Sequence, residues 1–457
     1  MNPNKIKAFP FQRRNIRLIE DKFHGRALLG DEMGLGKTTQ SLLFVKRKKL
    51  GETLPLLVVL PKIVRAQWVQ AIQKILNVAP AILETRTPPK IKLKSPVAVI
   101  NYDIIAWWRD WLEDQNFQTI ILDECQYATN PAAKRCKASL ALAKQIPFFL
   151  PLSGTPLTNR PLELFPVINA MNPKEWPNRK TYSHRYCGPK WTRFGWDFKG
   201  ASNVDELHAR LKQTGLIRNL QTDVMSEMPP LTRSIVPVEL TDNEEYHKAK
   251  TDFVGWLKET YPERLNKAIK AAALVQSGHL LRLAARLKLR SAVDWINLRL
   301  QQNHKIVVFA VHKKCIRALK RRIHAKSVVV DGLVTGRHRE TAIAQFQQDP
   351  QTKVLIGNIA AAGVGLNLTE ANVLCSVELM QKPGPLLQME KRIHRIGQTS
   401  PCWIYYFIGV GTIEESVLRL VQRKQKVITG TLDGGYVEDD FDLYDQLLEE
   451  LQKGELR

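Results

Sequence analysis

Short apolar runs separated by amphipathic stretches recur along the chain in two series. In the first half the runs fall at residues 27–30, 56–60, 97–100, 119–122 and 148–152, with helical patterns at 37–48 and 64–75. Strand-then-helix alternation of this kind predicts a parallel sheet packed on both faces. After residue 300 the pattern restarts, with runs at 306–310, 328–330, 354–356, 373–377 and 404–408 and helical segments at 313–324, 337–347 and 386–395. Two α/β domains are therefore expected, at 1–171 and 304–410. The stretch between them, 172–303, reads as an insertion or bridge. Its first part, 172–236, is rich in Pro, Trp, Arg and Lys with little periodicity, whereas 242–303 is almost free of Pro and Gly and patterned as helix. Apolar spacing at Ile413, Val417, Leu420 and Val421 predicts a helix over 411–430. An acidic tail, 431–457, follows.

A chain of 457 residues suits two or three domains. No apolar run approaches the ~18–20 residues of a membrane span, and the N-terminus lacks a signal-peptide stretch. The six cysteines (Cys125, Cys136, Cys187, Cys315, Cys375 and Cys402) form no C-x-x-C pair. That argues against a zinc knuckle or disulfide framework and suits a reducing compartment. A soluble, intracellular, cytoplasmic protein is expected, in a bacterial or viral setting, with the nucleus also open. Charge sharpens the picture. The net +24 attracts polyanions, nucleic acid above all. Residues 431–457 hold nine acids against Lys453 and Arg457, so the +24 becomes +31 once that −7 segment is set aside.

Two motifs carry chemistry. GDEMGLGKTT, residues 30–39, lies between an expected strand and an expected helix. Gly34 and Gly36 let backbone N–H groups wrap phosphate oxygens, Lys37 reaches the β- and γ-phosphates, and Thr38 can ligate Mg²⁺. The strict phosphate-loop pattern asks for Gly where Asp31 stands. TIILDECQ, residues 119–126, ends an apolar strand in adjacent carboxylates. Asp123 is expected to hold Mg²⁺ through water and Glu124 to polarise the attacking water.

With these residues in order, the chain resembles the Swi/Snf-type ATPases of helicase superfamily two, over nearly its whole length. PFQRRNIRLI (10–19) resembles the family's glutamine motif, which implies that Gln12 contacts adenine. DEMGLGKT (31–38) is the family's form of the phosphate loop. VVLPKIVRAQW (58–68), VINYD (99–103), DECQ (123–126) and LSGTP (152–156) follow as first-lobe motifs. KIVVFAVHK (305–313), VVDGLVTGRHR (329–339), NIAAAGVGLNLTEAN (358–372) and QMEKRIHRIGQ (388–398) resemble those of the second lobe. The resemblance implies two tandem RecA-like lobes with a mostly helical insertion between them. It also implies Gly365 at the nucleotide, and Arg392 and Arg395 as arginine fingers at the γ-phosphate. The second lobe is most similar to the annealing-helicase branch. Gln126 stands where the family usually has His, and Gln381-Lys382-Pro383 where it commonly has Trp-Asn before Pro.

The implied activity is an ATP- and Mg²⁺-dependent double-stranded DNA translocase that moves along, remodels or rewinds DNA, with a protein partner for targeting. The alternatives are an ATP-gated DNA clamp with little turnover and an RNA-unwinding ATPase. For DNA contact, the Trp191–Arg193–Trp196 segment is a candidate beside simple packing. Trp107, Trp108 and Trp111, with Arg109 among them, offer a base-stacking platform as one reading, but packing on the first lobe is expected, since Trp107 and Trp111 sit at helical i, i+4 spacing. Lys320, Arg321 and Arg322 read as a solvated helix end. The tail is expected either to solubilise the chain or to compete with DNA for the basic body.

Overall fold

All five apolar runs of the first series become strands of one parallel sheet in the computed structural model. It describes residues 8–434 except 48–49, 158–159, 194, 226–227, 261–266, 303, 332–333, 335, 360–365 and 396. One compact unit holds the described residues up to 225 together with those after 425, and a second holds the residues between.

In the first unit, β1 (Leu28–Leu29), β2 (Leu56–Leu60), β3 (Ala81–Leu83), β4 (Val97–Asn101), β5 (Thr119–Asp123), β6 (Phe148–Leu152) and β9 (Leu216–Ile217) align in the order β3-β4-β2-β5-β6-β1-β9. Every pairing is parallel. β2 and β4 are buried at all five positions, as strands covered on both faces must be. The covering helices include Lys37–Arg47, Arg65–Leu76, Ile105–Glu113 and Lys134–Gln145. β3 and β9 carry too few residues to show a period, which is why no apolar run announced them. Residues 172–225 fold onto this unit. Trp176, Tyr182, Tyr186, Leu207 and Leu211 enter its core, as do Ile428 and Leu432 from the last helix, Ile413–Asp433. An antiparallel hairpin, β7 (Lys190–Thr192) and β8 (Gly195–Asp197), stands apart from the sheet.

The second unit is again parallel, in the order β10-β15-β14-β11-β13-β12. Its strands are β10 (Leu231–Val238), β11 (Ile306–Ala310), β12 (Ser327–Val330), β13 (Val354–Asn358), β14 (Val373–Ser376) and β15 (Cys402–Gly409). β10 had read as irregular. It pairs with β15 over eight residues, from Leu231↔Cys402 to Val238↔Gly409, and its edge position tolerates Pro237. Helices Asn243–Thr260, Lys267–Leu287 and Leu289–Leu300 occupy the stretch patterned as helix. Fully buried Lys288 donates to both oxygens of Glu414 and to the Phe407 carbonyl, each at 2.6 Å.

All six cysteines are buried and free. Among the described residues no helix is long and apolar enough to cross a membrane. The acidic tail lies outside the described residues from 435 onward. Thr431, Leu432 and Asp433 instead end the last helix, with Leu432 in the first unit's core.

Candidate active site

β5, β6 and β1 are neighbours, so their carboxyl ends bring together three segments far apart in sequence. In a parallel sheet this edge is where ligands bind. From β1 the chain enters the phosphate loop, with Gly34 and Gly36 at φ +90° and +74°. The left-handed φ of Gly36 strains any side chain there, and a Cβ would also stand 2.7 Å from Gln12 Nε2. Helix Lys37–Arg47 then begins, its N-terminal amides aimed at the loop. Lys37 Nζ donates to the Asp31 carbonyl at 2.7 Å and to the Glu32 carbonyl at 3.2 Å. Burial lowers its pKa, against the pull of Glu124 and Asp31. Gly154, after β6, lies so close that a Cβ would come 3.3 Å from Lys37 Nζ.

At the end of β5, Asp123 Oδ2 accepts from Trp68 Nε1 at 2.7 Å, and its backbone carbonyl accepts from Tyr102 Oη at 3.0 Å. Burial, and next the Glu124 charge, push the Asp123 carboxyl up to about 7. Glu124 takes a left-handed conformation, φ 51° and ψ 56°. Gln126 Nε2 donates to Glu124 Oε2 at 2.7 Å while its Oε1 accepts from Ser153 Oγ at 2.7 Å; Ser153 Oγ in turn accepts the Thr155 N–H at 3.0 Å. The glutamine in place of histidine therefore joins the paired carboxylates to the Ser-Gly-Thr segment, donating with one end and accepting with the other.

Asp31, the departure from the strict loop pattern, is fully buried and is a hub. Its Oδ2 accepts from Asn15 Nδ2 and Gln40 Nε2, both at 2.9 Å. Its Oδ1 accepts from the Asn219 N–H at 2.9 Å and Asn219 Nδ2 at 2.6 Å. Gln12 donates to the Leu35 carbonyl at 3.1 Å and accepts the Phe9 N–H at 3.0 Å. Residues 218–221 close the loop from the far side. Gln221 donates its N–H to Glu32 Oε2 and its Nε2 to the Met33 carbonyl. Arg218 donates to the carbonyls of Gly30 and Gly154, and pairs with Asp433 at 2.6 Å. Sequence reasoning missed Arg218, Asn219 and Gln221. The only signal was Arg218 and Asn219 directly after a two-residue apolar run, with Gln221 following Leu220.

In the second unit, Arg392 Nη1 and Arg395 Nη1 both donate to the Leu366 carbonyl, at 3.3 and 3.0 Å. Burial lowers the Arg395 pKa. Gln398 ties the same region together, donating to the carbonyls of Thr369, Ala371 and Ile393 and accepting the N–H groups of Thr399 and Ser400. Gly365 lies outside the described residues.

Of the tryptophans expected to pack, Trp108 is buried and bonds the Thr85 carbonyl, and Trp111 lies edge-on against it. Trp107 departs from the expectation: it is half exposed, with the Arg86 guanidinium 4.8 Å from its ring. The buried stripe of its helix is Ile105, Trp108 and Leu112, which turns position 107 outward. Arg321 and Arg322 are exposed at a helix end, while Lys320 reaches the Ser327 hydroxyl at 2.9 Å.

The geometry fits a nucleoside triphosphate with a divalent cation. Lys37 stands among its own loop carbonyls at the start of a helix, and burial with the adjacent Glu124 charge holds the Asp123 carboxyl at about 7 even with Lys37 nearby, a charge excess that a divalent cation would offset.

Residues 14–289 match the SNF2-related domain family, and residues 288–397 the helicase conserved C-terminal domain. The chain is 32% identical over 459 residues to the DNA annealing helicase and endonuclease ZRANB3 of Homo sapiens, covering 94% of this chain and 41% of that protein. It is 32% identical over 430 residues to SWI/SNF-related matrix-associated actin-dependent regulator of chromatin subfamily A-like protein 1 of Xenopus tropicalis, covering 92% and 44%. Among solved structures, the Sulfolobus solfataricus SWI2/SNF2 ATPase core in complex with dsDNA is 23% identical, with a TM-score of 0.45, covering 99% of this chain and 97% of that one. The chain spans less than half the length of the two curated relatives.

Proposed function

The chain belongs to the SNF2-related family, and from that membership we propose that it is an ATP-dependent translocase on double-stranded DNA that moves along, remodels or rewinds it. The observation that carries the reading is the meeting of Lys37, the Asp123–Glu124 pair and Ser153 at the ends of three adjacent strands.

ATP is the substrate, and in this reading Gln12 contacts its adenine. Gly34, Gly36 and the first amides of helix Lys37–Arg47 cradle its phosphates, and Lys37 exchanges the Asp31 and Glu32 carbonyls for phosphate oxygens. Thr38 and Asp123 would hold Mg²⁺, which offsets phosphate charge. Glu124 orients the attacking water, and the Gln126–Ser153 bond ties that carboxylate to the segment after β6. Arg392 and Arg395 act as arginine fingers once they release the Leu366 carbonyl they share. Mobile cation at the γ-phosphate is worth ~10³–10⁵ in rate. The +24 charge supports a sequence-independent grip on DNA phosphates. The names of the relatives, a DNA annealing helicase and a regulator of chromatin, favour DNA over RNA as the track.

Steady-state ATP hydrolysis tests the reading, measured with no nucleic acid, duplex DNA, single-stranded DNA and duplex RNA, with Lys37→Ala as the blank. Stimulation by duplex DNA is expected. Glu124→Gln should bind ATP without turnover, and Arg395→Ala should keep ATP affinity while the rate collapses. No stimulation by any nucleic acid would favour a gated clamp, and stimulation by duplex RNA alone an RNA-unwinding ATPase.

A further inference from the structure

The β7–β8 hairpin carries two indoles that no core explains. Trp191 and Trp196 are direct cross-strand partners, with ring centroids 5.3 Å apart at 79°. Trp191, at 71%, is the most exposed large hydrophobic side chain among the described residues, and Trp196 is 49% exposed. A free two-stranded hairpin is marginal in water, yet this one is braced. Trp196 lies 4.7 Å from His184 and stacks on Phe198 at 6.3 Å and 22°. The base of the hairpin is fastened by bonds from Gly188 N to Ser202 Oγ, from Ser202 Oγ to the Arg185 carbonyl and from Asn203 Nδ2 to that same carbonyl. At the turn, Thr192 Oγ1 donates to the Gly195 carbonyl at 2.7 Å. The indoles are thus held outward on a fixed mount.

Their surroundings are basic. Residues 172–203 hold seven Lys and Arg against two acids, Glu175 and Asp197, and one of the seven, Arg185, is paired with Glu206. Both acids face cations: Asp197 lies 3.6 Å from Lys199, and Glu175 lies 3.8 Å from Arg210. Arg193 sits at the turn, two positions after Trp191. Aromatic faces set among cations form a stacking platform for nucleotides, because every base has a π-face and every phosphate a charge.

We propose that the Trp191–Trp196 hairpin is a base-stacking site for an unpaired nucleotide of the DNA on which the protein acts. The proposal rests on the DNA-translocase reading and adds to it a contact with a base rather than with phosphate. Charge complementarity selects nucleic acid over an apolar protein surface, because the hairpin that carries the indoles also carries Lys190 and Arg193, with Lys199 directly after it, against the single acid Asp197. Stacking cost selects the unpaired base. Inserting an indole into an intact duplex requires unstacking a base step, whereas an unpaired base is already free to stack.

The test is equilibrium binding of the full chain to a short single-stranded oligothymidylate, to the same oligonucleotide with abasic sites, and to a blunt duplex. Trp191→Ala should weaken oligothymidylate binding roughly 5- to 100-fold, the range of one base–aromatic stack. Trp191→Phe should recover most of it. The salt dependence should keep its slope, because phosphate contacts are untouched. The abasic oligonucleotide should bind the native chain more weakly, and Trp191→Ala should add little to that loss. Trp191 is exposed enough that its removal leaves the fold intact, which blunt-duplex affinity monitors. Equal oligothymidylate affinity for native and Trp191→Ala chains overturns the proposal, as does an equal loss on abasic and normal oligonucleotides. If the native chain binds no blunt duplex and duplex DNA leaves its ATPase unstimulated, the translocase reading itself fails. The two failures are therefore distinguishable.

Discussion

Replacing Asp31 by glycine would restore the strict phosphate-loop pattern, yet the structure requires the opposite of a gain. The carboxylate is fully buried and accepts four hydrogen bonds, from Asn15, Gln40 and twice from Asn219. These donors come from helix Pro10–Arg17, helix Lys37–Arg47 and the segment after β9, so one side chain joins three parts of the chain around the loop. Bonds to a charged group are worth ~1.5–3 kcal/mol each. Their sum overstates the loss. Burial already works against the charge, raising the Asp31 pKa despite the bonds from Gln40 and Asn219, and water entering the vacated space satisfies some donors. Four members of one network also do not add. A net cost of about 3–5 kcal/mol is expected for Asp31→Gly. If ~3 kcal/mol of it falls on loop organisation, kcat/KM for ATP drops roughly 100-fold. Asp31→Asn, which keeps the shape and one acceptor oxygen, should lose less. The assay is DNA-stimulated ATP hydrolysis, with hydrogen exchange followed on peptides covering 10–47 and 216–221. Asp31→Gly activity within ~3-fold of native, with unchanged protection, would falsify the role assigned to this carboxylate.

Other expectations follow from the same geometry. Gln126→Leu cuts the links to both Glu124 and Ser153 and should lower kcat roughly 10-fold with the KM for ATP nearly constant; Ser153→Ala should cost less. Equal effects on kcat and KM would mean that Gln126 serves binding instead. Lys288→Met strands the buried Glu414 carboxylate and should destabilise the second unit by ~3–5 kcal/mol in guanidinium unfolding. Adding Glu414→Gln, which still accepts the Gly409 N–H, should recover much of that loss, and no recovery would refute the ion-pair account. The hydrogen bond to Glu378 raises the His312 pKa above its ordinary 6.5. The stability this pair contributes is therefore complete below pH ~6.5 and lost as pH rises through the folded-state value. Melting at pH 6 and pH 9 should show this loss in the native chain and not in His312→Asn; equal pH dependence of the two would count against the pair.

Much of this architecture was legible before any coordinate. Apolar runs at 56–60, 97–100 and 119–122 could only be buried strands, because strands covered on both faces lose the polar alternation of exposed ones. Lys37, Asp123 and Glu124 stood out as candidates because phosphate chemistry needs those residue types directly after such strands, and the strand order brings their segments to one sheet edge. The buried face of the last helix was equally plain: Ile413, Val417, Leu420 and Val421 are all buried. Each of these features is local, set by residues a few positions apart.

What escaped the sequence was non-local or too short to carry a period. β3 and β9 hold three and two residues, and β10 is an edge strand whose partner, β15, lies about 170 residues away. Trp107 and Trp108 differ by one position in composition and by almost a whole face in exposure, since the turn of one helix against the sheet decides which indole is buried. The clamp of Arg218, Asn219 and Gln221 on the phosphate loop crosses 188 residues from Asp31 to Asn219. A buried carboxylate must find donors, but its own chemistry does not say which ones reach it. Hydrophobic periodicity selects elements, because burial depends on a residue's own side chain. The partners of polar groups follow from the strand order β5-β6-β1-β9, and that order exists only once the chain has folded.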